Sequence, residues 1–380
     1  MPKSFQIFFI GFCCYLLSAS YCAAQPYWNE WINFSQKYYK IPVSQNGIYR
    51  LDAVTLANAG ISLTSTDPRN FQLFFRGEEQ HIYVAGESDG IFNASDYIEF
   101  YGRKNDGSLD SILYKGDLYN KPVRQPNPYY SLFNDTSAYF LTWNNSISNK
   151  RIVFLPDTVF STAPVATNYF MKEEIVENHT TYYYGKSTST NINFPEYHEV
   201  EGWAGTNFYQ GASHVTTFNT TNIYSAGPNA TTKLAVMGAS DDFGSSADHD
   251  LRIRYKNSAG VFVTLDSPVF DGYRLYDSAF SIPASALGAS TDIVVSALNG
   301  SFSTSRNAVP YVVFKYPHNL NLENKNYYEL YVTENASQPK SNFSFTNFND
   351  LGSPSYLYDL TNHVRIPVIK SGSNYKVLVA

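Results

Sequence analysis

Phe71-Gln72-Leu73-Phe74-Phe75-Arg76-Gly77-Glu78 is the stretch on which the fold class turns. Apolar residues at 71, 73 and 75 recur with a period of two, the spacing of a half-buried strand. Arg76-Gly77-Glu78 is a turn signal, and Ile82-Tyr83-Val84 is expected to be the return strand. On the C-terminal side the pattern repeats. Tyr97-Ile98-Glu99-Phe100-Tyr101 closes at Gly102, and Tyr139-Phe140-Leu141-Thr142-Trp143 closes at Asn144-Asn145. On the N-terminal side lies one short helix, Asp52 to Gly60. Asp52 can cap its first amides, and Gly60 can take the left-handed exit. Residues 25 to about 160 thus read as one β-rich domain with a single helix.

Composition agrees. Hydrophobic residues make up 43% and charged residues 16%, the balance of a globular chain. With 32 Tyr and 27 Phe against 3 Met, the chain is rich in residues that suit pleated, half-buried surfaces. Beyond an extended connector or projecting hairpin at 161–200, further short strands are expected between 201 and 320. They are Lys233 to Met237, Leu251 to Tyr255, Val261 to Leu265, Ile293 to Leu298 and Val309 to Phe314. Their spacing is that of a β-sandwich. Residues 321–380 continue as β structure. The expected fold is all-β, with two or more β-sandwich-like domains and one short helix near the N-terminus.

The three cysteines, Cys13, Cys14 and Cys22, sit in a stretch that reads as an export signal. Lys3 supplies the charge, Ile7 to Leu17 the short apolar run, and Ala23-Ala24 a cleavage site before Gln25. Processing there would leave no thiol in the mature chain, hence neither a cysteine nucleophile nor a zinc-thiolate site. The expected location is the periplasm, the outer-membrane surface or the extracellular medium. No later apolar run is long enough to span a bilayer as a helix. The net charge of −6 and the lack of a basic run argue against a nucleic-acid partner.

Catalytic motifs are scarce. There is no HExxH, GxSxG, P-loop or helix-opening GxGxxG. The histidines (81, 179, 198, 214, 249, 318 and 363) show no metal-ligand spacing and read as surface or structural. Two acidic loops carry clustered oxygen ligands suited to calcium. One offers Asp89, Asn93 and Asp96 around Gly90; the other offers Asp241, Asp242, Asp248 and Asp250. Both are also ordinary turn chemistry, which is the simpler reading. The many tyrosines invite a glycan-binding reading, because sugar rings stack on aromatic faces, although Tyr is equally a common strand residue.

Several segments, in order and spacing, resemble the non-catalytic N-terminal region of exported gingipain-type cysteine peptidases. The likeness is greatest to the sortase-like member of the Bacteroidetes type IX secretion system. The segments are Ile41-Pro42-Val43 with Asn46-Gly47-Ile48-Tyr49-Arg50-Leu51, then Phe71 to Gly77, Asp89 to Gly102, Thr136 to Trp143, Trp203-Ala204-Gly205, and Tyr358 to Val379. The resemblance implies a prodomain-like or docking role beside a peptidase domain or secretion-system proteins. No catalytic residue carries over, because the family's peptidase domain would begin about where this chain ends. A surface β-sandwich that binds glycan is the alternative. The apolar run Val377-Leu378-Val379 is expected to be an uncovered strand edge, leading toward that absent domain and limiting solubility.

Overall fold

The computed structural model describes residues 29–115, 123–146, 148–186, 197–242, 244, 247–298, 305–332 and 338–379. The export-signal expectation falls outside these residues. Among them the regular secondary structure is almost wholly strand, arranged in several sheets.

The N-terminal region pairs two sheets. One has the order Tyr39–Val43, Ser137–Trp143, Phe71–Phe75, Glu78–Gln80; the other has the order Gly47–Asp52, Tyr97–Gly102, Tyr83–Val84. Phe71, Leu73 and Phe75 point into the core between them, together with Ile98, Phe100 and Tyr139. Phe74, on the opposite face, is covered by Trp31, which stacks on it at 5.1 Å. The helix Ala53–Asn58 follows its sequence signals. Asp52 accepts a hydrogen bond from the Thr55 amide at 2.8 Å, and Gly60 has a φ of +81°.

The hairpin needs one correction. Its return strand is Glu78–Gln80, because Arg76 and Gly77 both take positive φ and close a tight two-residue turn. Tyr83 and Val84 instead pair with Glu99 and Ile98 in the other sheet. Only His81 and Ile82 separate the return strand from Tyr83, where the chain has crossed between sheets.

The central region is a sandwich of two five-stranded sheets. Ser213–Asn219, Ser290–Ala297, His249–Lys256 and Phe262–Asp266 form one path; Leu275–Ile282, Ala230–Gly238, Tyr311–Asn319 and Tyr169–Glu177 form the other. Phe218, Leu234, Val236, Leu251, Ile253, Val295 and Phe314 fill the space between. The segment expected as a connector contributes a full strand here. Tyr169–Glu177 pairs along its whole length with Tyr311–Asn319, and Thr181–Tyr184 pairs with Glu201–Ala204. Its charged residues hid the pairing. Lys172 lies buried between Glu174 at 2.7 Å and Glu323 at 3.3 Å.

The C-terminal sheet runs Asn321–Lys325, Ser341–Phe348, Asn374–Val379, Val364–Ser371, Ser355–Asp359. The final strand is interior, not an edge. It pairs with Ser341–Phe348 on one side and with Ile369–Ser371 on the other. Val377, Leu378 and Val379 are buried.

Titratable groups at the seams between the regions make stability depend on pH. Burial raises the pKa of Glu323, but the Lys325 hydrogen bond and the Lys172 charge outweigh it and hold the carboxyl at about 2. Burial depresses His318, and burial together with His363 depresses His81, whose ring stacks on that of His363 at 3.5 Å. Each of these groups binds protons less readily folded than unfolded, so acid favours the unfolded chain. Stability is expected to fall as pH drops below 6.5, where the histidines begin to charge in the unfolded chain. It should fall again between 4.5 and about 2, through Glu323. Urea melts across this range check it. Glu323→Gln should flatten the lower limb, and an unchanged limb would remove Glu323 as its cause.

Candidate functional site

Two places gather chemistry. The first is a cleft of about 1260 Å³ where the N-terminal region meets the C-terminal sheet. The extended segment 327–331 forms one wall. By strand periodicity, residues 327, 329 and 331 share one face and 328 and 330 the other. Tyr328 and Leu330 pack onto the C-terminal core. Tyr327, Glu329 and Tyr331 are left exposed along the cleft. Tyr331 is anchored through its backbone, exchanging two 2.9 Å hydrogen bonds with Met171. The Tyr101 phenol, 3.0 Å away, and the Tyr327 phenol both donate to Glu329 Oε1. Burial, then Glu329, pushes both phenols above their ordinary pKa, so they remain donors. Burial, then Glu173, pushes Tyr331 up to about 12.

The opposite wall is held by Arg365, which is 2% exposed. Its guanidinium lies 3.4 Å from the ring centre of Tyr356 and 4.2 Å from that of Tyr83. It donates to the phenols of Tyr358 at 2.7 Å and Tyr97 at 3.2 Å, and reaches Glu99 at 3.4 Å. Tyr358 also donates to Glu99. One cation thereby ties the N-terminal sheet to the C-terminal sheet and fixes Glu99, Tyr356 and Tyr358 against the cleft.

The second place is the loop after Ala230–Gly238. Carboxylate oxygens of Asp241, Asp248 and Asp271 lie within 4.8 Å of one another. Asp248 is buried and accepts from the amides of Asp242 at 3.0 Å and Gly272 at 2.7 Å. Behind it sits a buried network. His249 Nδ1 lies 2.8 Å from Asn307 Oδ1 and 3.1 Å from Ser305 Oγ, and His249 Nε2 lies 3.2 Å from the Ser240 carbonyl. Asp248, His249 and Ser305 superficially suggest a nucleophilic triad, but Ser305 is 5% exposed and shares His249 with Asn307. His249 Nε2 also lies 3.5 Å from Asp248 Oδ1, so the network packs behind that carboxylate. A Cβ on Gly238 would lie 2.7 Å from His249 Nε2 and from the Gly272 carbonyl, so only glycine fits there.

The sequence-derived oxygen ligands separate accordingly. Asp241 and Asp248 come together, whereas Asp242 and Asp250 are not in the cluster. Asp271 joins it from a neighbouring strand end, which local spacing could not show. In the first loop, Asp89 accepts from the Ile91 amide at 2.9 Å and from the Asn93 side chain at 3.2 Å. Asp96 is buried and accepts from the Asn93 amide at 2.6 Å. These carboxylates hold the turn. The cleft tyrosines carried no local signal beyond the alternation of 327, 329 and 331, which is readable once residues 328 and 330 are placed in a core.

No family model matches the chain, and no curated protein matches it. Among solved structures it is similar to dimeric latent PorU from Porphyromonas gingivalis. The TM-score is 0.51 and the identity 12%, covering 90% of this chain and 30% of that one. This chain therefore spans less than a third of that protein's length. The K3 adhesin domain of Lys-gingipain from the same organism aligns with TM-score 0.22 and 11% identity, over 43% of this chain and 96% of that one. A CBM36 carbohydrate-binding module, solved with calcium and xylotriose, aligns with TM-score 0.22 and 12% identity, over 38% and 98%. The likeness to PorU is one of fold, a distant structural relationship. The two partial alignments are too slight to argue from.

Proposed function

We propose that the chain is an exported, non-catalytic docking module that works beside a gingipain-like cysteine peptidase or with components of a type IX secretion system. The observation that supports this most is the fold likeness to part of PorU over 90% of the chain. The absence of cysteine after residue 22 is consistent with it, since a peptidase of that type needs a thiolate nucleophile. The test has two readouts. Exported full-length protein, assayed on basic-residue and mixed peptides under reducing conditions, is expected to show no turnover. Cross-linking on intact cells of its host is expected to join it to a peptidase or a secretion-system component. Turnover abolished by a substitution in this chain, or cross-links to neither class, would overturn the reading.

The Asp241–Asp248–Asp271 cluster supports a second, smaller reading, that of a calcium site. Calcium–oxygen distances of roughly 2.3–2.6 Å place opposite ligands about 5 Å apart. The 4.8 Å spread of this cluster fits that geometry. Without a cation, three carboxylates at this distance repel one another. Millimolar calcium is therefore expected to raise the melting temperature of the wild type and to leave Asp271→Asn unmoved. No shift in the wild type would return the cluster to a solvated loop.

A further inference from the structure

We propose that the tyrosine-lined cleft binds a neutral oligosaccharide, a role separate from docking to a peptidase. Three observations carry this.

The first is charge. Of the five ionised groups on the lining, three are paired with an opposite charge within the protein. Glu99 is paired with Arg50 and Arg365, Asp350 with Lys370, and Lys340 with Asp157. Asp359 has no counter-cation among the described residues, and its oxygens accept from the amides of Thr361 and Asn362. Glu329 likewise has no counter-cation among the described residues. Its Oε1 accepts two phenols, and no hydrogen bond from a described residue reaches its Oε2. A cleft whose two unpaired charges are both carboxylates disfavours an anionic ligand, and a carboxylate oxygen that no described residue reaches can accept from a hydroxyl.

The second is aromatic surface. Tyr327 is 41% and Tyr331 45% exposed, flanking Glu329 on one face of the same segment. Aromatic faces beside a hydrogen-bond acceptor suit a pyranose, which has apolar C–H faces and a rim of hydroxyls. The platform is also fixed. Lys315 lies 4.0 Å over one face of Tyr331, and the Tyr331 phenol donates to Glu173 at 3.2 Å. Little conformational entropy would then be lost on binding.

The third is size. Sites for single small molecules occupy roughly 300–1,000 Å³. At about 1260 Å³ this cleft has room for a chain of several units. Asn326 and Gln338 add amide groups along its length.

Affinity electrophoresis of the full chain through gels containing xylan, mixed-linkage β-glucan or mannan tests the proposal, with calorimetry on the matching hexasaccharides. At least one neutral polysaccharide is expected to retard the protein. Tyr327→Ala and Tyr331→Ala should each weaken hexasaccharide binding by roughly tenfold, about 1.4 kcal/mol. Tyr331→Phe should keep most of the binding, because it retains the ring face and its Lys315 contact and loses only the phenol hydrogen bond to Glu173. Thermal melts of each variant separate lost binding from lost fold, and Tyr184→Ala, a tyrosine outside the cleft, serves as the control. The proposal is overturned if no neutral polysaccharide retards the protein. It is equally overturned if folded Tyr327→Ala and Tyr331→Ala bind unchanged, or if an anionic polysaccharide or an extended peptide binds there in place of the neutral sugars.

Discussion

Cutting the chain after Lys370 is expected to unfold the C-terminal sheet. The cut removes the strand Asn374–Val379, which pairs with neighbours on both sides. Tyr375, Val377, Leu378 and Val379 would leave the core with it. At about 1.5–3 kcal/mol for each large apolar side chain, the loss is on the order of 6–12 kcal/mol. That rivals the whole stability of a typical domain, roughly 5–15 kcal/mol. Ser341–Phe348 would also be left with an open ladder edge, a template for aggregation. The shortened chain should be less soluble, should bind a hydrophobic dye, and should be cleaved early by trypsin within residues 321–370. This reverses what the apolar C-terminal run implies when read as a free edge. A shortened chain that stays monomeric and melts with the full-length protein would mean that the sheet closes without its middle strand.

The second large effect belongs to Arg365. Replacement by alanine removes a buried guanidinium that touches residues of both regions. Glu99 keeps Arg50 at 2.6 Å, so the carboxylate is not abandoned. The loss lies in packing and in cation–π contact, worth about 2 kcal/mol or more when desolvated, together with the phenol hydrogen bonds. A total of about 3–5 kcal/mol is expected, roughly 2 from the stacked cation and about 0.5–1.5 from each of the two phenol hydrogen bonds. Arg365→Lys should recover little of it, because an ammonium cannot stack between rings and donate along several directions at once. The expected signature is two unfolding steps in guanidinium where the wild type shows one, as the N-terminal and C-terminal regions uncouple. A single transition with unchanged midpoint would show that the seam does not depend on this side chain.

Sequence carried the local decisions. Alternation at 71, 73 and 75 marked a strand, Asp52 and Gly60 bounded the helix, and the even spacing of apolar runs from 233 to 314 announced a sandwich. Each depends on a period or cap contained within a few residues, so neighbours in sequence suffice to read it. What tertiary structure decided was partnership. Tyr83 and Val84 lie in the return position of a hairpin yet pair with another sheet. Tyr169–Glu177 reads as a charged connector, but Lys172 finds its counter-charges in Glu174 and, from far along the chain, Glu323. Val377 to Val379 read as an edge and became a centre. Asp271 joined Asp241 and Asp248 in an acidic cluster that local spacing had completed with Asp242 and Asp250. The cleft itself is a product of two sheets meeting around Arg365. A strand's sequence encodes which face is apolar, because side chains alternate across it. Its backbone donors and acceptors are nearly the same in every strand, so the choice of neighbour is left to the packing of the whole chain.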